Sequence, residues 1–368
     1  MKNLYYIAIA ALLAASAGCS KVEVADAPDK AVTFTVASYS PQTRADNYVS
    51  LVGETTTFMS KAYLHAEGVT DRVQDYFGTT GETISANNAT NPSAWLPSHD
   101  YFWPKSKKSY INFVSWFDKT GTPTTISETA LAWTNRTVTP EDNIMWADEA
   151  WRYNMNTTST VNNSVYGVAA DQPFGQNAVE EGVPTLFHHA LAQVRFQGKV
   201  TKTSATDGGK TVNWTVTVNE LSLTNVANKG TFSLTNSDPG ENKTKEWTVT
   251  EWTSLGGAVE VKPTIASPLT LGTTAKDIFS WQSVIPQNTA AVKMTIKFTV
   301  ATEYPSKTVE EVVTKTVNLS DFTVNIRAWE RNKRYTYTLI IEPDTGIIRI
   351  IPVEDDWLEG ATKDITVE

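Results

Sequence analysis

Apolar and polar residues alternate along several segments of the chain. Such period-two patterns are typical of strands with one buried face. The clearest segment carries five apolar side chains on one face, and lysines and threonines on the other: Val292, Met294, Ile296, Phe298 and Val300. Residues 212–218 and 335–339 repeat the pattern, and Val32, Phe34 and Val36 form a shorter version within residues 31–37. The alternation therefore predicts an all-β protein.

Turn signals separate the predicted strands. They are the segments Asp207-Gly208-Gly209, Asn228-Lys229-Gly230 and Ser237-Asp238-Pro239-Gly240. Strands spaced in this way predict antiparallel β-sandwiches. Residues 308–315 are ambiguous, but their β-branched side chains favour a strand. Residues 87–163 are rich in Asn, Thr, Pro and Trp, and predict long loops with one clear strand at residues 110–116.

The N-terminus has the features of an export signal. Lys2 precedes the apolar residues 4–17, a run that suits a signal peptide better than a membrane span. Small residues then lead to Cys19, the only cysteine in the chain. Ser16-Ala17-Gly18-Cys19 resembles the lipobox of bacterial lipoproteins, which predicts a signal peptide over residues 1–18 and a lipid on Cys19. The alternative is an ordinary secreted protein with a stray cysteine.

Composition narrows the class of partners. The formal net charge is −9 and the sequence pI is about 5.1. Nucleic-acid binding needs clustered Lys and Arg, so no nucleic-acid partner is expected.

Catalytic constellations are sparse. The histidines are His65, His99 and the pair His188-His189. Adjacent side chains on a strand diverge, so the pair is expected to place one ring in the core and one in solvent, without a shared metal. The acidic pairs Glu180-Glu181, Glu310-Glu311 and Asp355-Asp356 are interpreted as solvated charge. We expect no enzyme, no catalytic residue, no cofactor and no metal site.

Tryptophans are concentrated in the middle of the chain. Six of the twelve are Trp95, Trp103, Trp116, Trp133, Trp146 and Trp151. Exposed tryptophans stack on sugar rings, whereas packed ones fill a core. The prediction favours packing, and a surface glycan-binding lipoprotein, either an adhesin or a carbohydrate-binding module, stays as the alternative function.

Four segments together resemble the fimbrillin family, the pilins and pilin-like surface lipoproteins of type V pili. They are VPTLFHHALAQVRF at residues 183–196, DNIMWA at 142–147, WERNKRYTYTL at 329–339, and the N-terminal order of lipobox, one strand and Thr43-Arg44-Ala45. The resemblance spans nearly the whole chain. It implies two transthyretin-like Greek-key β-sandwich domains in tandem, which we place at residues 45–184 and 185–368.

The resemblance also implies a maturation step. Residues 19–44 are interpreted as a pro-segment that carries the first strand with Val32, Phe34 and Val36. In the family, a trypsin-like surface protease cuts after an arginine like Arg44, which leaves Ala45 as the new N-terminus. Ser40-Pro41-Gln42-Thr43 is a polar stretch of the kind that proteases enter. The alternative places Arg44 in an ordinary loop of a chain that stays lipid-anchored.

The predicted function is a structural subunit of a type V fimbria. The resemblance implies export to the outer membrane as a lipoprotein and then polymerisation at the cell surface with other pilin subunits by donor-strand exchange. A host or bacterial adhesion receptor stays open as a further partner. The candidate donor strand lies in residues 346–353, with Ile347, Ile348, Ile350, Ile351 and Val353 as its apolar side chains. The alternative is that this segment is the last internal strand.

Overall fold

The computed structural model describes residues 31–38, 55–68, 73–89, 94–106, 109–148, 150–153, 182–236, 247–262, 265, 268–322 and 326–357. Nearly all of these residues lie in strands or in the turns that connect them. The strands are β1 (Phe34–Ser38), β2 (Thr57–His65), β3 (Val73–Asp75), β4 (Glu82–Ala86), β5 (Trp95–Pro97), β6 (Tyr110–Asp118), β7 (Thr125–Ser127), β8 (Ala130–Thr137), β9 (Ile144–Ala147), β10 (Ala150–Tyr153), β11 (Val183–His189), β12 (Ala192–Val200), β13 (Ser204–Asp207), β14 (Lys210–Thr235), β15 (Thr248–Val261), β16 (Leu269–Leu271), β17 (Lys276–Val284), β18 (Gln287–Asn288), β19 (Lys293–Tyr304), β20 (Lys307–Asn318), β21 (Ala328–Trp329), β22 (Lys333–Glu342) and β23 (Ile347–Asp356). A single 3₁₀ turn is described, at Leu319–Phe322.

The first sheet holds the N-terminal strands. Its order is β10-β6-β9-β11-β1-β5-β4-β2-β3, and β6 also pairs with β2. This extra pairing closes the strands from β6 to β2 into a ring, with β10 and β3 outside it. An apolar core rich in phenylalanine fills the ring and includes Phe34, Phe58, Phe113 and Phe187.

The second sheet is built on β14, which is 26 residues long. Its path is β20-β19-β14-β8-β7, and β13, β15 and β16 also pair with β14. The predicted turn at Asn228–Gly230 is wrong, because these residues continue β14. Bulges shift the register of β14 with β15 on either side of Lys229, and Asn225 has a positive φ of 61°. The strand bends there instead of reversing, since β15 and β8 hold it from both sides.

The third sheet has the order β17-β12-β22-β23, and β18 and β21 form a separate pair. Its inner face packs on the second sheet, and the shared core includes Phe196, Phe298, Trp329 and Tyr337. A further core, rich in tryptophan, joins the first sheet to the second. It takes Trp116 from β6, Trp133 from β8, Phe232 from β14 and Trp252 from β15, together with Trp357.

The middle of the chain contains more strand than the sequence predicts. Residues 110–116 lie in β6 as expected, but β5, β7, β8, β9 and β10 occupy parts of the region interpreted as long loops. Except for the eight residues of β8, these strands have only three or four residues, which is too few for a period-two pattern to develop. Their pairing with distant strands defines them instead.

The all-β prediction is confirmed. The predicted turn at Gly208-Gly209 is also confirmed: both glycines have positive φ, 56° and 76°, and join β13 to β14 as a two-residue hairpin. β11 crosses the predicted domain boundary at residues 184/185, and the β7–β8 hairpin pairs with β14. The tandem division into residues 45–184 and 185–368 stays a prediction. No helix in the described ranges is long and apolar enough to cross a membrane.

Candidate functional site

The candidate site is the position of the first strand inside the first sheet. β1 runs parallel to β11, with Phe34–Ser38 opposite Val183–Phe187, and it meets β5 through the antiparallel pair Phe34 and Trp95. Just before β1, the amide of Val32 donates a hydrogen bond of 2.8 Å to the carbonyl oxygen of Tyr101. The first segment is therefore enclosed on both sides and is not an edge strand.

The apolar side chains of this segment lie in the core. Val32 and Phe34 are each 1% exposed, and Val36 is partly buried against the same cluster. The ring of Phe34 meets Phe58 and Phe113 edge-on, with centroid distances of 5.7 and 5.5 Å. Phe34 is therefore the side chain of β1 that reaches furthest into the aromatic core.

A close approach of two backbones fixes the start of β11 against the first segment. The amide of Val183 donates to the carbonyl oxygen of Thr33 at 2.7 Å. Gly182 has a φ of +150°, and a Cβ on it would lie 2.9 Å from that same oxygen. Only a residue without a side chain fits there without displacing Thr33.

A buried carboxylate stabilises the side of the site opposite β11. Glu82, on β4, is 6% exposed and accepts hydrogen bonds from Ser98, from Nδ1 of His99 at 3.0 Å and from the hydroxyl of Tyr101 at 2.9 Å. Burial alone raises the pKa of Glu82, but these hydrogen bonds outweigh it and lower the pKa below its ordinary value. The carbonyl oxygen of Tyr101 also accepts the hydrogen bond from the amide of Val32. By binding the hydroxyl of Tyr101, Glu82 therefore positions the segment that borders the first strand.

The predicted processing residues lie outside the described part of the chain. These are Cys19, Arg44 and Ala45, so their roles stay predictions. The described segment of the site begins at Ala31, after Cys19, and ends at Ser38, before Arg44 and Ala45.

The candidate donor segment forms β23, the outer strand of the third sheet. It pairs with β22 along its whole length. Ile350 is buried, whereas Ile347 and Ile351 are 52% and 51% exposed, and Ile348 and Val353 are partly buried. Within this chain the segment is thus already paired, at the edge of a sheet and with two apolar side chains in solvent, and the donor role stays a prediction.

The tryptophan prediction is confirmed for the described side chains. Trp95, Trp103, Trp116, Trp133 and Trp146 are all at most 4% exposed. The side chain of Trp151 lies outside the described part of the chain. These five indoles fill cores between strands, so they do not form the exposed platform that glycan stacking requires.

The expectation for the histidine pair is wrong, because both rings are buried. Nε2 of His188 donates to Asp148 at 2.9 Å, and the ring stacks on Trp146. Nδ1 of His189 donates to Asn143 at 3.0 Å. The side chains do diverge, but tryptophans of the same core stack on both rings, Trp146 on His188 and Trp357 on His189. Elsewhere, His65 pairs with Glu128 at 2.6 Å.

The acidic pairs behave differently from one another. Glu310 and Glu311 are exposed, as expected, and Glu180-Glu181 lies outside the described residues. For Asp356 the expectation is wrong: its side chain is 3% exposed and pairs with Lys333 at 2.8 Å. Within the described ranges, no group of three or more His, Cys, Asp or Glu residues is arranged to hold a metal ion.

Sequence reasoning missed Glu82, Tyr101 and Gly182. A signal existed for Glu82, because it shares the inward face of β4 with the fully buried Ile84. A charged residue in the apolar phase of a strand indicates a buried polar partner. No comparable local signal marks Gly182, whose constraint comes from Thr33, far away in the sequence.

The fold and this site define an all-β protein whose N-terminal segment completes a sheet. The chain is similar to three solved structures at low identity. A Bacteroides uniformis protein assigned provisionally to cell adhesion shows 15% identity, covers 90% of this chain and 98% of its own, and has a TM-score of 0.47. A fimbrial protein from Bacteroides vulgatus shows 14% identity, 89% and 99% coverage, and a TM-score of 0.46. The C-terminally truncated tip fimbrial protein Mfa3 from Porphyromonas gingivalis shows 10% identity, 89% and 100% coverage, and a TM-score of 0.33.

The family model described as fimbrillin-like matches residues 35–357. No curated protein sequence matches the chain at a significant level. Because the family model covers most of the chain, the protein belongs to the fimbrillin-like family. This membership confirms the resemblance found in the sequence and supports a fimbrial subunit of the cell surface with a structural role.

Proposed function

We propose that the chain is a structural subunit of a type V fimbria that assembles by donor-strand exchange. In this proposal the chain is exported to the outer membrane as a lipoprotein on Cys19. A trypsin-like surface protease then cuts it after Arg44, and it polymerises with other pilin subunits. The observation that carries the proposal is the position of β1 between β11 and β5, with Val32 and Phe34 buried in the core.

Removal of the first segment would open a continuous groove. Val32 and Phe34 together contribute roughly 3–6 kcal/mol of gross burial free energy, at about 1.5–3 kcal/mol per side chain. Their loss exposes the pocket lined by Phe58 and Phe113, and it leaves β11 without its parallel partner. A strand with one unpaired edge beside an apolar pocket is a template for a strand from another chain.

The segment of β23 with Ile347 and Ile351 supports a donor role, because these side chains are already exposed at the outer strand of a sheet. To act as a donor, this strand must leave β22. Residues 358–368 follow it and contain a second alternating pair, Ile365 and Val367, so the experiment has to separate the two segments.

One substitution, compared with the wild type, tests strand release. Wild-type protein treated with a trypsin-like protease should form polymers, whereas Arg44→Ala should fold, resist the cut and stay unpolymerised. Polymer length is followed by light scattering and electron microscopy. Polymerisation of uncut Arg44→Ala protein would overturn strand release.

Point substitutions test the donor better than a truncation at Asp344, since that truncation also removes the buried Trp357. Ile347→Asn and Ile351→Asn should leave the monomer stable but block polymers after the cut. The matched control is Leu255→Asn, on β15, which is 42% exposed and should polymerise normally. Normal polymers from both isoleucine variants, combined with loss of polymers on truncation after Trp357, would move the donor role to residues 358–368.

A separate variant tests lipidation. Cys19→Ala should abolish incorporation of radiolabelled palmitate and shift the precursor from the detergent phase to the aqueous phase. Normal maturation and detergent partition of this variant would refute the lipoprotein assignment without touching the assembly mechanism.

A further inference from the structure

β20 is a long, exposed strand at one end of the second sheet. It pairs with β19 over all its residues without a bulge, and no other described strand pairs with its outer edge. Val309 and Val312 are 42% and 59% exposed. A long, unbroken edge with exposed β-branched residues is a template for another strand.

One face of β20 carries a symmetric order of side chains. Val309, Glu311, Val313, Lys315 and Val317 lie opposite residues 302 to 294 of β19, on the side of the sheet that bears the core. Val313 and Val317 are partly buried there, while Glu311 and Lys315 are exposed. On each side of Val313 along this face, a charged residue comes first and a valine comes next. The two charges have opposite signs.

We propose that β20 pairs with β20 of a second copy of this chain, antiparallel and about a two-fold axis through Val313. In this register Glu311 of each copy faces Lys315 of the other, and Val309 faces Val317. Opposite charges and paired valines across neighbouring strands stabilise a sheet, and a two-fold axis makes each contact twice. The second sheet of one copy and the second sheet of the other copy then form one continuous sheet.

The main chain is in the correct phase for this pairing. The amide of Leu319, next to the end of β20, donates to the carbonyl oxygen of Val292 at 2.9 Å. Backbone groups alternate in direction along an antiparallel pair, so odd-numbered residues bond to β19 and even-numbered ones face the free edge. The amide of Val312 therefore points outward, towards the second copy.

Charge selects a second copy over other strands. Inward-pointing charges such as Glu311 and Lys315 normally protect an edge, because they meet apolar residues of an unrelated strand. Moving the two-fold axis by one residue in either direction, to Val312 or to Thr314, would place each charge opposite a valine. Only the proposed register pairs both charges. The edge of β23, by contrast, contains Pro352, which removes an edge donor.

Charge exchange tests the proposal in uncut protein, residues 20–368, so that strand release plays no part. Sedimentation equilibrium should show a dimer whose population rises with concentration. Glu311→Lys and Lys315→Glu each put like charges opposite one another twice, and each should weaken the dimer about tenfold. The double variant, Glu311→Lys with Lys315→Glu, restores opposite charges and should recover the wild-type dimer.

Glu310→Lys is the matched control. This substitution makes the same change of charge as Glu311→Lys, one residue away. Residue 310 faces Thr316 in the proposed register, so the dimer should persist. Val312→Pro should remove the dimer without altering the β19 ladder, and the melting temperature checks that all variants fold. A wild-type monomer up to about 0.1 mM, or single exchanges that match Glu310→Lys, would overturn the proposal.

Discussion

The indole of Trp357 lies flat on the imidazole of His189, with ring centroids 3.7 Å apart and an angle of 6° between the planes. Both side chains are fully buried. The contact joins the end of β23 to the last residue of β11, inside the tryptophan-rich core. Close by, Nε1 of Trp252 donates to the carbonyl oxygen of Ala190 at 2.7 Å. The end of β23 and the motif that resembles the fimbrillins therefore pack against each other in one core.

Trp357→Ala should lower the free energy of unfolding by about 3–5 kcal/mol, because it leaves a large cavity beside His189. Urea unfolding followed by circular dichroism measures the change. Trp214→Ala, at a partly exposed position on β14, is the control and should cost less than half as much. Equal losses for both variants would contradict the packing described for Trp357.

A buried ion cluster predicts a large effect at Arg136. Its guanidinium bonds to Asp118 at 2.9 Å and lies 3.4 Å from Asp142, and both carboxylates are fully buried. Burial alone lowers the pKa of Arg136, but hydrogen bonds and charge from Asp118 and Asp142 raise it overall. Arg136→Met strands two carboxylates in the core and should cost about 3–5 kcal/mol at pH 7.

The matched control for Arg136→Met is Arg331→Met. Arg331 pairs with Glu251 at 2.7 Å, but the glutamate side chain is 57% exposed. An exposed pair contributes about 0–1 kcal/mol, so this variant should unfold close to the wild type in urea. A small effect at Arg136 would mean that the carboxylates gain water or protons when the cation is removed.

Glu82 predicts a specific dependence of stability on pH. Its folded-state pKa lies below the ordinary value of 4.5. Its contribution to stability is therefore present above the ordinary pKa and is lost as the pH falls through the folded-state pKa. Glu82→Gln removes this contribution, so the variant should lose less stability than the wild type between about pH 6 and pH 3. Parallel pH profiles from urea midpoints would contradict the assignment.

Gly182→Ala should loosen the first strand selectively. The added Cβ meets the carbonyl oxygen of Thr33, so the start of β11 and the first segment have to move apart. Hydrogen exchange should accelerate at the amides of β1 more than at those of β22. Gly208→Ala is the control, since it also has positive φ but no atom within 4 Å of the added Cβ. Unchanged exchange in β1 would show that the backbones adjust freely.

Local patterns predicted the long strands well, and long-range pairing explains the failures. β19 and β22 were visible because alternation persists over many residues and one face is buried. The segment Asn228–Gly230 has the composition of a turn, but β8 and β15 flank it and keep it extended. A turn signal depends on neighbours in sequence, whereas these partners lie up to about a hundred residues away.

The site was predictable only in part. Val32 and Phe34 were visible as the inward face of a short strand, and both are buried. The parallel partner of that strand was not visible, because residues 183–187 are separated from it by most of the N-terminal half. Glu82 and Gly182 act on the strand through space, and neither belongs to a motif.

The parallel pairing of β1 with β11 has a consequence for the order of folding. Because synthesis proceeds from the N-terminus, the first strand is complete long before residues 183–187, its longest partner. Contacts between segments so far apart in sequence form slowly, since a long loop has to close first. Throughout that interval β5 can pair with β1, but the edge of β1 that β11 later covers stays exposed and open to premature association.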